Sequence, residues 1–366
     1  LASQNYFKQS LNKFNFIPAG NVDTASSRLR VYALVDALRE LGCDARINSN
    51  ESSKCLIIQK RVTLDLLERV RSAKLAGSFI VYDIDDSSDA LWFWAQPKLL
   101  FPLLVLADLV TTDTPERARW VSHSAPWVNC QVIHNPVDYG IPSLKSLRTD
   151  GDDKLTICWF GSNPNFQTFA PLLRHLIRLH NTKILICGAN PEDGKKFGKF
   201  SNIEIVDWEH TGMEALLQKS DLVCLSHFGR KEDIRKSNHK MITSICFGVP
   251  AIVSNTPEYA RAAHEIGAPD SIFHDEKTLL ECVEKFRSKK RREEYLQKAQ
   301  PIIWKKYSPS ACAKHFLDVI QQNQNMRNPT SVISRDVSPF GYALWRWRIE
   351  DYKMNFIKNL LLSKFQ

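Results

Sequence analysis

The sequence holds no apolar run of the roughly 18 residues that a membrane-spanning helix needs. The nearest candidate, Leu99 to Val110, is short and is broken by Asp108. No signal-peptide pattern opens the chain at Leu1. The nine cysteines form no CxxC pair and no clustered ligand set. A zinc site is therefore not expected, and buried free thiols in a reducing, cytoplasmic setting are. Zinc fingers, RNP-type motifs, repeats and low-complexity tracts are also missing. The net charge is +9, with most of the excess after residue 150. Phosphorylated substrates and an anionic membrane surface suit that charge, and nucleic acid is the least favoured partner.

What is present is an ordinary globular composition, 366 residues with 43% hydrophobic and 24% charged, enough for two cores. Apolar runs alternate with helical periodicity, which argues for parallel α/β units. Strands are expected near Asn15 to Pro18, Cys55 to Gln59, Phe79 to Asp83, Leu109 to Thr112 and Gln131 to His134. A helix from about Arg28 to Leu41 is expected to take its cap from Ser26 or Ser27. A polar stretch at 139–154 reads as a linker. The alternation then restarts, with strands at Leu155 to Phe160, Lys183 to Cys187, Ile203 to Val206, Leu222 to Leu225 and Ala251 to Ser254. The expected organisation is a Rossmann-like domain at 1–138, a second at 155–308, and closing helices at 309–366. In doubly wound sheets, ligands bind beyond the carboxyl ends of the strands.

Two places set basic residues at a helix start, against the helix dipole. In "RKEDIRKSNHK", Ser237 or Asn238 caps a helix running to Phe247, and Arg235, Lys236 and Lys240 crowd its first turn. In "AGNVDTASSRLR", Gly20 lies in the loop, and Arg28 and Arg30 lie in the first turn. A bound diphosphate or lipid phosphate would account for either cluster, and so would exposed basic side chains. "YDIDDSSD" ends a strand with Asp85 and Asp86. Such carboxylates can orient an acceptor hydroxyl or act as a base, or merely cap a turn. Gly161 and Ser162 sit between a strand and a helix, where a phosphate approaches or a simple turn suffices. His134 lies at the last strand of the first half, readable as a ligand contact or a satisfied loop histidine. In the tail, Trp345, Ile349, Tyr352, Phe356 and Leu360 share one helical face. That face suits a membrane interface and docking on the N-terminal domain equally.

Several segments, in order, resemble glycosyltransferase family 4, a group of GT-B enzymes. "SSRLRVYALVDALRELG" is similar to the family's first helix, and "VIHNPVDY" to the segment before its linker. "GMEALLQKSDLVCLS", "ICFGVPAIVSNTPEY" and "YLQKAQPIIWKKYSPSACAKHFLDVI" follow the family's C-terminal order. Together they span about residues 15 to 323. The resemblance implies a GT-B fold of two Rossmann-like domains facing a cleft. It also implies sugar transfer from a nucleotide-diphosphate donor, with retention and without a metal or other cofactor. The acceptor would be a glycan or lipid-linked sugar in surface polysaccharide or glycolipid synthesis, at the inner face of the membrane. By resemblance Trp208 falls in the base-binding loop and Glu258 at the family's Pro-Glu. The other donor candidates, Gly161, Ser162, Arg235, Lys236, Ser237, Asn238 and Lys240, rest on the phosphate reading above, as do Gly20, Arg28 and Arg30, with His134 by its position, toward acceptor or phosphate. Lys240, Asp85 and Asp86 are the catalytic candidates. The chain departs from the family where two glutamates are expected, since Arg235 and Thr243 stand there. Asp83 and Asp85 also imitate the metal-binding DxD of GT-A enzymes. A non-catalytic glycan- or partner-binding relative and a nucleotide-sugar epimerase are the alternatives.

Overall fold

The computed structural model describes residues 13–85, 96–137, 154–189, 191–206, 213–227, 231–326, 341–349 and 351. The expected linker, Asp86 and Trp208 lie outside the described residues. The chain divides into two compact units, 1–136 with 309–366, and 137–308.

The first unit is built on a parallel six-stranded sheet ordered β2-β1-β3-β4-β5-β6. Its strands are β1 (Lys13–Ile17), β2 (Asp44–Ile47), β3 (Cys55–Gln59), β4 (Phe79–Ile84), β5 (Leu109–Thr112) and β6 (Asn129–Val132). Sequence reasoning misses β2, a short edge strand whose DARI is only partly buried and carries no apolar run. Alternate residues feed two core layers, as a period of two requires. Phe14, Phe16, Ile57, Phe79 and Val81 face one layer. Leu56, Ile58, Ile80, Tyr82 and Val110 face the other. The first layer is covered by helix α1 (25–40) and by the late helix Pro309–Asn325, whose Phe316 ring meets Phe14 and Phe16 at 6.1 and 5.9 Å. The second is covered by α2 (Leu64–Leu75), α3 (Pro97–Leu106) and α4 (Pro115–Ser124). The helix at 341–349 joins this second layer by burying Trp345 and Ile349, with Phe101 5.5 Å from Trp345. That much of the tail face predicted from the sequence is turned into protein, and Tyr352, Phe356 and Leu360 lie outside the described residues.

Helix α1 starts earlier than predicted and is irregular. It runs as Ala25–Ser27, a π-helical turn at Arg28–Tyr32, and Ala33–Glu40. Neither serine caps it: Thr24 holds the N-cap position and makes no side-chain cap bond. Ser27 instead donates to Gln59 (2.8 Å) and accepts from the Gly20 N–H (3.0 Å).

The second unit carries another parallel six-stranded sheet, ordered β12-β11-β10-β7-β8-β9. Its strands are β7 (Leu155–Phe160), β8 (Thr182–Cys187), β9 (Ile203–Val206), β10 (Leu222–Leu225), β11 (Ala251–Ser254) and β12 (Ile272–Phe273). The strands β7, β10 and β11 are buried along their whole length, which explains apolar sequences interrupted only by Thr156 and Ser254. The helices, in chain order, are α5 (Asn163–Leu176), α6 (Pro191–Phe197), α7 (Met213–Gln218), α8 (His239–Cys246), α9 (Pro257–Glu265), α10 (Glu276–Arg287) and α11 (Lys289–Tyr307). The "FGVP" segment is a helix stop followed by a strand start. Gly248 takes φ 78°, a left-handed conformation that closes α8, and Pro250 leads directly into β11. All nine cysteines are free and seven are buried.

Candidate functional site

The second sheet has the strand order of a dinucleotide-binding fold, and β7 is the strand from which the order reverses. The crevice beyond a reversal point is where such sheets take ligands. Three segments converge there. Gly161 and Ser162 follow β7 and lead into α5, with Ser162 at its N-cap position. Ser226 and His227 follow β10, and Thr168 of α5 donates to the Ser226 carbonyl (2.8 Å), tying helix to strand. The first turn of α8 supplies Lys240.

Lys240 is placed by packing. Trp159 is wedged among rings, stacked on Phe169 at 5.5 Å and edge-on to Phe166 at 5.2 Å. The Lys240 ammonium lies 5.6 Å from the centre of Trp159 and 6.0 Å from that of Phe160, at cation–π range. A Cβ on Gly161 would come within 2.5 Å of Lys240 Nζ. Glycine at 161 is thus what lets the ammonium reach the end of β7. Lys240 and Gly161, far apart in sequence, meet at the reversal point.

The neighbouring segment differs from expectation. Asn238 takes the N-cap position of α8 and makes no side-chain cap bond. Its amide donates to the Tyr307 hydroxyl at 3.0 Å. Arg235 ends a short 3-10 turn, Lys231–Arg235, and is buried, not exposed on the helix start. Lys236 and Ser237 are half-buried between that turn and α8. Thr243, where the resemblance would place a glutamate, buries its hydroxyl without a hydrogen-bond partner among the described residues. Glu258 is not an exposed side chain either. It is buried on the first turn of α9 and gripped by Arg261 through bonds of 3.0 and 2.7 Å. Burial works against the Arg261 charge, yet the Glu258 contact raises its pKa above the ordinary value. His227 stacks on Tyr259 at 5.4 Å, and burial pushes the Tyr259 phenol upward. Tyr307, Arg261 and His227 lie outside the set predicted from the sequence. Only the Tyr307–Ser308 pair in the closing-helix segment hints at the first of them.

The carboxyl edge of the first sheet is built on a different principle. Arg30, expected to await an anion, is buried and forms a two-pronged pair with Asp83, one contact at 3.0 Å. It also donates to the Ile133 carbonyl and to Asn135. Burial opposes its charge, but Asp83 more than compensates and raises the pKa. This corrects the helix-dipole argument at that turn, because the countercharge is part of the protein. Arg28 is buried and donates to the carbonyls of Val22 and Asp23. Asp85 lies 3.3 Å from Lys60, with both side chains almost fully buried, so it does not project as an open base. Asp83 and Asp85 thus answer to different cations. Lys60 also donates to Ser26 (2.8 Å), and Gly20 packs against Thr24. His134 is half-buried, its Nδ1 3.3 Å from the Asp113 carbonyl. Asp113 itself pairs with Arg117.

No protein-family model and no curated protein matches this sequence. Solved structures do match in shape. A glycosyltransferase from Rickettsia africae superposes with a TM-score of 0.62 at 10% identity, over 87% of this chain and 100% of its own. Sucrose-phosphate synthase from Thermosynechococcus elongatus gives 0.61 at 9% identity, over 86% and 99%. HepE from Anabaena, in complex with UDP, gives 0.60 at 10% identity, over 85% and 100%. The fold is GT-B. Both parallel sheets and their surrounding helices take part in the match, and at such identities the shared property is architecture. Among the described residues, no helix of this GT-B chain is long and apolar enough to cross a membrane. Nor do His, Cys, Asp and Glu side chains gather there in groups of three or more suited to a metal ion.

Proposed function

We propose that this chain is a glycosyltransferase of the family 4 kind, taking its sugar from a nucleotide-diphosphate donor bound at the Gly161–Lys240 edge. The observation that carries the reading is the placement of Lys240 against Gly161 at the reversal point of a Rossmann-type sheet. UDP-sugars are the first donors to test, since HepE has been solved with UDP and UDP-glucose, and trehalose-6-phosphate synthase from E. coli with UDP-2-fluoro glucose. In the proposed reaction the bond from the anomeric carbon to the diphosphate oxygen breaks, an acceptor oxygen bonds that carbon, and the acceptor's proton passes to the departing diphosphate. Lys240 and the N–H groups at the start of α8 stabilise the negative charge left on the diphosphate, which needs no metal ion. Retention, a glycan or lipid-linked acceptor, and a place in surface polysaccharide or glycolipid synthesis at the cytoplasmic membrane face belong to the same proposal. Ser162, Lys236 and Ser237 complete the donor edge.

The test is a thermal-shift series with UDP, GDP, TDP and CMP. A nucleotide that binds only the folded state stabilises it by about 2.7 kcal/mol at one hundred times its Kd. One nucleoside diphosphate should raise the melting temperature, and silence across the series would sink the donor site. Transfer in the presence of EDTA checks the metal. The Glu258–Arg261 clamp and the Thr243 hydroxyl favour a second reading, a nucleotide- or glycan-binding protein without turnover. Binding with neither transfer nor donor hydrolysis would select it.

A further inference from the structure

Tyr307 has no part in the scheme above, yet its phenol joins two helices that flank the proposed donor edge. It is fully buried in the last turn of α11. Its oxygen accepts from Asn238 Nδ2 and from Arg261 Nη2, both at 3.0 Å. The Arg261 donor is the same nitrogen that bonds Glu258 at 2.7 Å. One oxygen therefore holds the N-cap of α8 and, through Arg261, the helix α9 at once. The Tyr307 backbone is fixed too, because its carbonyl accepts from the Val137 N–H at 2.8 Å, where the chain enters this unit.

Asn238 is the informative partner. An N-cap asparagine ordinarily turns its side-chain oxygen onto the N–H groups of its own helix. Here the side chain makes no such bond and is held by the phenol instead. Lys240 lies two residues further on, so the geometry of this cap sets where its ammonium meets Gly161.

We propose that Tyr307 is a positioning residue for the donor diphosphate: its hydroxyl keeps the Asn238 side chain off the start of α8 and fixes the turn that carries Lys240. The inference rests on the donor site proposed above. A Tyr307→Phe chain keeps the ring and loses only the oxygen. Its Asn238 side chain is then released to cap α8 and to compete with a phosphate for the same N–H groups.

The test is a double-mutant cycle read as UDP affinity by calorimetry on the full chain: wild type, Tyr307→Phe, Lys240→Met and the double variant. Tyr307→Phe should weaken UDP binding roughly 5- to 10-fold, the scale of one hydrogen bond. Lys240→Met should cost several-fold less in the Phe background than in wild type. If Tyr307→Phe does not fold, Asn238→Ala enters the cycle in its place. It cuts the same bond without freeing an amide to cap α8, so it reads only the fixing of the turn, and unchanged UDP affinity in it overturns the inference. Additive penalties, or unchanged UDP affinity in the Phe variant, overturn the inference and leave the donor site standing. A wild-type chain that binds no UDP overturns both.

Discussion

The carboxyl edges of the two sheets read alike in sequence and are built differently. Each places basic residues at the start of a helix after a strand. At the first edge the charges are answered within the protein, by Arg30 with Asp83, Lys60 with Asp85, and Arg117 with Asp113. At the second edge, Lys240 lies over aromatic rings and beside a glycine. A cation opposing a helix dipole therefore does not by itself mark a phosphate site. Its countercharge can come from a strand far away in sequence, as Asp83 does for Arg30, 53 residues on.

The largest effect that would sharpen this contrast is on stability. Arg30→Met leaves Asp83 charged and buried without its guanidinium, and breaking a buried pair from one side costs about 3–5 kcal/mol. Urea unfolding should show that loss, and Arg30→Met with Asp83→Leu should recover much of it. If Arg30→Met instead left stability intact and abolished binding of a phosphorylated acceptor, the first edge would be a ligand site after all.

Next comes Lys240→Glu, which exchanges a cation for an anion at the second edge. Losing a charge-assisted contact of about 1.5–3 kcal/mol and adding repulsion should lower nucleotide-diphosphate affinity by roughly 100-fold or more. The unfolding midpoint should change little beside that of Arg30→Met. Equal affinity in the Glu variant would mean that the two edges do not differ in the way described.

Much of the fold is legible in the sequence alone. Strands Leu155–Phe160, Leu222–Leu225 and Ala251–Ser254 stand where their apolar runs place them, because strands buried on both faces are largely hydrophobic. Leu109–Thr112 and the half-buried edge strand Ile203–Val206 also stand where the sequence places them. The ordered segments led to GT-B. Two edge strands are not legible: β2 carries little apolar signal, and β12 is only two residues long. The partners of the site residues were less readable. Arg30–Asp83, Glu258–Arg261 and Asn238–Tyr307 are side-chain choices made across the fold, and residue type alone does not name the partner.

A subtler variant, Gly161→Ala, probes the second edge by shape. The added methyl would meet Lys240 Nζ at 2.5 Å and the Trp159 ring at 3.2 Å. A lysine tip swings aside cheaply, so the expected stability loss is about 1 kcal/mol or less, while the ammonium leaves its post. UDP affinity should fall about 10-fold, a loss of roughly 1.4 kcal/mol. An alanine chain that binds as wild type would show that the contact between Gly161 and Lys240 is packing only.

The smallest effect compares the thiols of the two units. The second unit holds Cys158, Cys187, Cys224, Cys246 and Cys282, all buried. Burial pushes Cys246 up to about 12 and Cys282 up to about 11. In the first unit Cys130 is pushed up to about 12, also by burial, while Cys43 is half-buried and raised less. The thiolate is the reacting form, so a raised pKa suppresses labelling at pH 8, and the rate should climb as pH rises toward these values. A disulfide reagent at pH 8 should therefore modify Cys43 first, by mass spectrometry of digests, with the five thiols of the second unit following only on unfolding. Early labelling at Cys246, at the far end of the helix that carries Lys240, would instead mean that α8 opens readily, and a helix that opens is a poor platform for holding a diphosphate.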